Sequence, residues 1–222
     1  MSQSIVVIAP HPDDEVLGCG GAIARHTDGG DDVHIVAVTR ADPDLYPAEE
    51  EVAFREEVKA AHQVLGVAST VYLDFPAPRL DTIASYQLAA AIAQVICQLR
   101  PHTVYLPHHG DLHADHQRVY EATLVAARPI NGCSVRQLLA YETLSETEWA
   151  PPRADCAFVP TTFINIEPYL ATKLKAMTCY RSELKAFPHP RSLEALTALA
   201  KLRGAAAGLA AAEAFTMIRQ IL

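Results

Sequence analysis

Residues 5–21 read Ile-Val-Val-Ile-Ala-Pro-His-Pro-Asp-Asp-Glu-Val-Leu-Gly-Cys-Gly-Gly. The apolar run at 5–9 does not alternate with polar residues, which is the pattern of a strand buried on both faces. A polar loop containing proline follows, and a helical pattern takes over at about 16–27. The same succession recurs downstream. Strands are expected at 33–38, 70–73 and 103–106, with helices between them at about 48–65 and 83–99. The first of these helices stops at Leu65-Gly66 and the second runs into Pro101, both of them stop signals. Strand–helix–strand repetition at this spacing predicts an α/β fold: a mostly parallel, Rossmann-like sheet with helices on both faces. Beyond Ala127 the pattern loosens. Strands are expected at 138–141, 157–160, 163–166 and 215–221, and helices at 168–183 and about 193–207. No Ser/Gly linker, charge block or repeat interrupts the 222 residues, so a single domain over 1–222 is expected.

In open α/β sheets, ligands bind outside the carboxyl ends of the strands. Two polar clusters fall at such ends. His11-Pro12-Asp13-Asp14-Glu15 follows the first strand, and His108-His109-Gly110-Asp111-Leu112-His113-Ala114-Asp115-His116 follows the fourth. A histidine and an aspartate three residues apart can both meet a metal across a strand-to-helix turn, leaving another carboxylate for proton transfer. The bland alternative is that the three acids merely favour a helix start. A bare N-cap, however, needs one carboxylate, not three beside a histidine. The histidine-rich second cluster weakens that alternative further. Imidazole and carboxylate without thiolate suit a catalytic Zn²⁺ site that keeps an open position for water. Fe²⁺, Co²⁺ or Mn²⁺ would be accepted by the same donors.

Composition narrows the partners. A formal net charge of −8 argues against a protein that grips nucleic acid or anionic lipid. No stretch approaches a membrane span, and the first apolar run is too short and has no basic flank for a signal peptide. A cytoplasmic protein is therefore expected. The five cysteines are scattered with no C-x-x-C, so free thiols are expected rather than a disulfide framework.

The two clusters resemble the signatures of the LmbE-like, or PIG-L, family of zinc de-N-acetylases. That family's pattern is a strand ending in A-H-P-D-D-E, a glycine-bearing turn, and a later H-x-D-H. Here Pro10 stands where alanine is frequent, and Ala114 where proline is frequent. The resemblance continues through Arg55-Glu56-Glu57, Leu65-Gly66, Pro188-His189-Pro190-Arg191-Ser192 and Arg203-Gly204 to Ala212-Glu213-Ala214-Phe215. It implies that His11, Asp14 and His116 hold the metal and that Asp13 is the general base. His113 would face the substrate carbonyl as an electrostatic stabiliser and proton donor, acting as an imidazolium, and Asp115 would sit behind His113 and set its charge or orientation. Arg55 would contact substrate, or else pair with Glu51 on a solvated helix face. Asp111 would line the pocket. His108 and His109 are expected to be structural, and Arg79 to be either a substrate contact or a solvated loop residue. The implied reaction removes an N-acetyl group from an N-acetylglucosamine-type sugar conjugate, giving acetate and a free amine. The resemblance also implies a homo-oligomer, a trimer or hexamer.

Three rival readings compete with this one. A phosphate-binding loop at Gly18-Cys19-Gly20-Gly21 is rejected, because three acids separate it from the strand and would repel phosphate. A metallohydrolase of another amide stays open, although H-E-x-x-H is absent. A non-catalytic sugar-conjugate-binding member would be expected to lack Asp13 or a ligand, and all are present.

Overall fold

Successive residues of the first strand, β1 (Ser4–Ala9), enter two different cores. Ile5, Val7 and Ala9 join one apolar cluster, whereas Val6 and Ile8 join another. That split follows from the two-residue period of a strand, and it explains why the run cannot alternate with polar residues. The structure is a computed structural model describing residues 2–222. It contains β1, α1 (Asp14–Asp28), β2 (Asp32–Ala41), α2 (Ala48–Leu65), β3 (Ser69–Ala77), α3 (Ser85–Leu99) and β4 (Thr103–Pro107). There follow α4 (Ala114–Ala126), β5 (Gln137–Tyr141), β6 (Thr162–Asn165), α5 (Leu170–Met177), α6 (Leu193–Ala206) and β7 (Ala212–Gln220).

The strands form one sheet in the order β3-β2-β1-β4-β5-β7-β6. The first five are mutually parallel, and β7 runs antiparallel to both β5 and β6. The expected mostly parallel α/β sheet is therefore found. Helices α1, α2 and α5 cover the face that receives Ile5 and Val7, and α3 and α4 cover the other. Strand order reverses direction at β1, between β2 and β4, so the loops after β1 and β4 border one crevice.

The glycine-rich turn after the acids has a packing reason. A Cβ on Gly18 would strike the Tyr141 ring, and one on Gly21 would lie 2.7 Å from Ile166. Helix α1 is thus pressed against side chains of the distant carboxyl-terminal half. Some expectations needed correction. Residues 157–160 form no strand, since Pro160 offers no N–H and Val159 is exposed. The helix expected at 168–183 shrinks to α5 behind a 3₁₀ turn, Glu167–Tyr169, and the final strand begins at Ala212 rather than 215. Helix α4 was not anticipated, because its first turn is occupied by polar site residues and little apolar stripe remains to reveal it.

One buried ion pair ties the two halves together. Lys173 of α5 donates to the Leu17 carbonyl at 2.8 Å and to Glu213 of β7. Glu213 in turn accepts from the N–H groups of Gly21 and Ala22, at 2.9 and 2.7 Å. Truncating one partner of a buried pair strands the other charge, typically at a cost of about 3–5 kcal/mol. Lys173→Met should therefore lower the stability measured by urea unfolding by about that amount. A change within about 0.5 kcal/mol, as for a surface substitution, would show that the two N–H groups satisfy Glu213 without the lysine.

Candidate active site

Asp13, Asp14 and Glu15 are all buried, yet each turns to a different task. Asp13 has a φ of 112°, a left-handed value uncommon outside glycine, and its side chain faces Arg191. Asp14 opens α1, and its Oδ2 accepts from the His11 N–H at 2.8 Å. Glu15 is a brace: Oε1 accepts from the Tyr180 hydroxyl and from His62 Nε2, the latter at 3.2 Å, while Oε2 accepts from the Asp13 N–H at 3.0 Å. The bland reading of three helix-start acids is thereby set aside.

His11, Asp14 and His116 converge, with one potential ligand atom from each lying within 4.8 Å of the others. His116 Nε2 lies 3.2 Å from Asp14 Oδ2, and His11 Nδ1 lies 3.5 Å from the same oxygen. His116 Nδ1 donates to Asp111 Oδ2 at 2.8 Å, which leaves Nε2 as the free lone pair of the neutral ring. His116 Nε2 and Asp14 Oδ1 are buried without a hydrogen-bond partner. Buried orphans of this kind are costly, and a cation among imidazole and carboxylate donors satisfies them. The electrostatics agree. Burial opposes charge on His11, but the Asp115 and Asp14 carboxylates override it and push the imidazole up to about 9. The same contest raises His116, through Asp14 and Asp111, and holds Asp14 well below the usual carboxylate range, through His116 and His11. The site is built to hold positive charge.

Asp13 faces a cavity of about 450 Å³ together with His11, His113, Glu146 and Arg191. Burial pushes its carboxyl well above the usual range, against the pull of Arg191 and with a further rise from Asp14. Arg191 Nη1 lies 3.1 Å from Asp13 Oδ2, and its Nε donates to Ser145 Oγ at 2.9 Å. A second cleft of about 440 Å³, between α3 and the segment after α4, has no histidine or carboxylate in its lining. The histidines and carboxylates gather at the first.

Several expectations are corrected here. The Asp115 carboxylate makes no hydrogen bond to His113: its Oδ2 accepts from His11 Nε2 at 3.1 Å and its Oδ1 from the Leu80 N–H at 3.0 Å. What reaches His113 is the Asp115 backbone N–H, which donates to Nδ1 at 3.1 Å in an N-cap of α4. Burial and the nearby His11 push His113 down to about 4 against the pull of Asp115, a shift that favours the neutral ring over the expected imidazolium; the N–H that Nδ1 accepts puts that ring's proton on Nε2. Asp111 does not line the cavity. It is fully buried, and it orients His116 and accepts from Thr147 Oγ1 at 2.6 Å. Of the two readings of Arg55, the pair with Glu51 is the one found, at 2.7 Å; Arg55 also pairs with Asp74, lies 4.5 Å from the Tyr72 ring centroid and is outside the cavity lining. Arg79 pairs with Asp42 at 2.8 Å. His108 and His109 hydrogen-bond the carbonyls of Cys156 and Asp155, as structural residues do. Sequence reasoning gave Arg191 no role and did not notice Glu146. Arg191 sat inside a quoted motif, but nothing local to that motif says which carboxylate it meets.

Comparison with known proteins places these features. The family model described as "PIG-L: GlcNAc-PI de-N-acetylase" matches residues 6–127. An "Uncharacterized deacetylase YaiS" of Escherichia coli (strain K12) is 31% identical over 189 residues, covering 81% of this chain and 91% of that protein. A diacetylchitobiose deacetylase of Thermococcus kodakarensis is 35% identical over 127 residues, covering 52% of this chain and 45% of that enzyme. The crystal structure of a conserved protein from Thermus thermophilus superposes with a TM-score of 0.79 at 27% identity, covering 99% of this chain and 96% of that one.

The partners of Asp111 and Arg55 give a clear test. Asp111→Ala removes the group that orients His116 and should weaken divalent-ion binding by about 10–100-fold in equilibrium dialysis. Arg55→Ala should leave ion binding as it is. Unchanged affinity in Asp111→Ala would mean that packing alone orients His116.

Proposed function

The chain belongs to the PIG-L, or LmbE-like, de-N-acetylase family, and on that premise we propose that it is a metal-dependent amide hydrolase. It removes the acetyl group from an N-acetylglucosamine-type conjugate, releasing acetate and a free amine. The observation that carries this reading is the convergence of His11, Asp14 and His116, two of them with buried unpartnered atoms, beside a cavity that His11 lines together with Asp13 and its ion-pair partner Arg191.

His11, Asp14 and His116 would hold one divalent cation, which polarises a carbonyl and brings a water's acidity near neutrality. Zinc suits this donor set, with Fe²⁺, Co²⁺ and Mn²⁺ within its range. Asp13 takes the proton of the attacking water. Its raised affinity for a proton makes it a stronger base than an ordinary carboxylate. Arg191, held by Ser145 and Glu183, fixes the Asp13 carboxylate in place. Asp13 then returns the proton to the departing nitrogen, because an amine anion is a poor leaving group. His113 presents its Nε2–H to the oxygen that becomes negative. As a neutral donor it loses no proton in the step, and removing such a donor slows turnover by about 10²–10³-fold. Asp115 positions His11, and Asp111 positions His116.

Asp13→Asn should retain the ion and lose about 10²–10⁴-fold in kcat, whereas Asp14→Ala should lose the ion itself. Elemental analysis of both variants, alongside acetate release from a panel of N-acetylglucosaminyl conjugates, decides the matter. Equal metal loss would mean that the two carboxylates share one role. A metal-loaded wild-type protein that frees no acetate from any conjugate would end the deacetylase reading.

A further inference from the structure

The segment that follows β5 reads Thr143-Leu144-Ser145-Glu146-Thr147-Glu148 and folds as a turn. The Thr143 carbonyl accepts from the N–H groups of Glu146 and Thr147, at 3.1 and 2.9 Å, and Glu148 Oε1 accepts from the Ser145 N–H at 2.6 Å. These bonds close the turn from within. Strand β5 pairs with β4 in parallel, Tyr141 opposite Pro107, so the turn leaves the sheet next to the loop that leads to His113 and His116.

Three consecutive side chains reach out of the turn, each to a different part of the site. Ser145 Oγ accepts from Arg191 Nε at 2.9 Å, and Arg191 pairs with Asp13 at 3.1 Å. Glu146 grips the loop after β4 twice: its Oε2 accepts from the His113 N–H at 3.1 Å, and its carbonyl accepts from the Leu112 N–H at 3.2 Å. Thr147 Oγ1 accepts from the Thr143 N–H at 2.8 Å and donates to Asp111 Oδ1 at 2.6 Å. The other Asp111 oxygen accepts from His116 Nδ1. Ser145 makes its contact from a φ of 76°, a left-handed backbone that glycine adopts at less cost. What serine adds there is the hydroxyl, and closing the turn does not use it.

We infer that Ser145, Glu146 and Thr147 are positioning residues for three separate groups. Ser145 places the base Asp13 through Arg191, Glu146 places the oxyanion donor His113, and Thr147 places the ligand His116 through Asp111. Each acts through another residue. Because the three are consecutive, one short stretch of backbone fixes the base, the oxyanion donor and a cation ligand relative to one another. Such spacing is where rate is lost: a misplacement of about 1 Å can slow a reaction by about 10²-fold. The inference rests on the deacetylase reading for the roles of Asp13 and His113, and it adds what holds them in mutual register.

The test separates the three arms. Ser145→Gly suits the left-handed backbone and removes only the hydroxyl. Thr147→Val keeps the shape of the side chain without its hydroxyl, and Glu146→Ala removes the acceptor that Glu146→Gln retains. Each variant is measured for Zn²⁺ affinity by equilibrium dialysis, for Tm, and for kcat and KM on an N-acetylglucosaminyl conjugate. Thr147→Val should weaken Zn²⁺ binding by about 10-fold, as loss of an outer-shell partner does, and Thr147→Ser should restore it. Ser145→Gly and Glu146→Ala should bind Zn²⁺ as the wild type does but lose about 10–100-fold in kcat, with KM unchanged. Glu146→Gln should recover most of that loss. A wild-type protein that frees no acetate would end the deacetylase reading, and the dialysis would still decide here: loss of affinity confined to Thr147→Val supports the inference. Parallel loss of Zn²⁺ affinity and Tm in all three would overturn it, because the turn would then only keep the loops folded. Unchanged Zn²⁺ affinity in Thr147→Val, or unchanged kcat in Ser145→Gly and Glu146→Ala, would overturn it as well.

Discussion

The parallel pairing of β1 with β4 is the constraint on which the site depends. Val6 opposes Val104 and Val7 opposes Tyr105, so the two strands end side by side and point the same way. Their following helices then part, α1 to one face of the sheet and α4 to the other. A crevice at that parting is a consequence of chain topology. Each loop brings half of a cluster to it: His11, Asp13 and Asp14 from one, His113 and His116 from the other. Neither half could enclose a cation alone.

Holding the crevice in shape uses local strain and charge. Asp13 adopts a φ of 112° without being glycine, and such conformations cost on the order of 1–3 kcal/mol. The surroundings hold it there. Its N–H donates to Glu15, and its carbonyl accepts from Val16 and Leu17 at 3.0 and 2.9 Å. Glu15 in turn is gripped by Tyr180 and His62, from the loop after α5 and from α2. Charge is arranged the same way. Each imidazole of the cluster is held by a carboxylate behind it, Asp115 for His11 and Asp111 for His116. This is how ligating histidines are commonly oriented.

What could be read from the chain beforehand follows from how local each signal is. The strand–helix alternation was legible because β1 and β2 are buried on both faces and so carry unbroken apolar runs. The convergence of His11, Asp14 and His116 was legible because both clusters sit immediately after strands. The partners of Asp115 and Asp111 were not, since a carboxylate's sequence position does not say which of several nearby imidazoles it will face. Arg191 was hidden for a related reason: its contact with Asp13 depends on how the loop before α6 folds back over α1. Helix α4 escaped because site residues fill its first turn.

The placement of β7 bears on the order in which the molecule can be assembled. The last strand in sequence is not at the sheet's margin but lies between β5 and β6, where Glu213 reaches back to α1. During synthesis the amino-terminal portion emerges first. Both histidine clusters are therefore made long before Arg191 or β7 exists. Until β7 arrives, β5 presents an unpaired apolar edge, the kind of surface that recruits strands from other molecules. A growing chain thus carries its histidine clusters early and its protected sheet late. The interval between the two is when this protein is most exposed to misassembly.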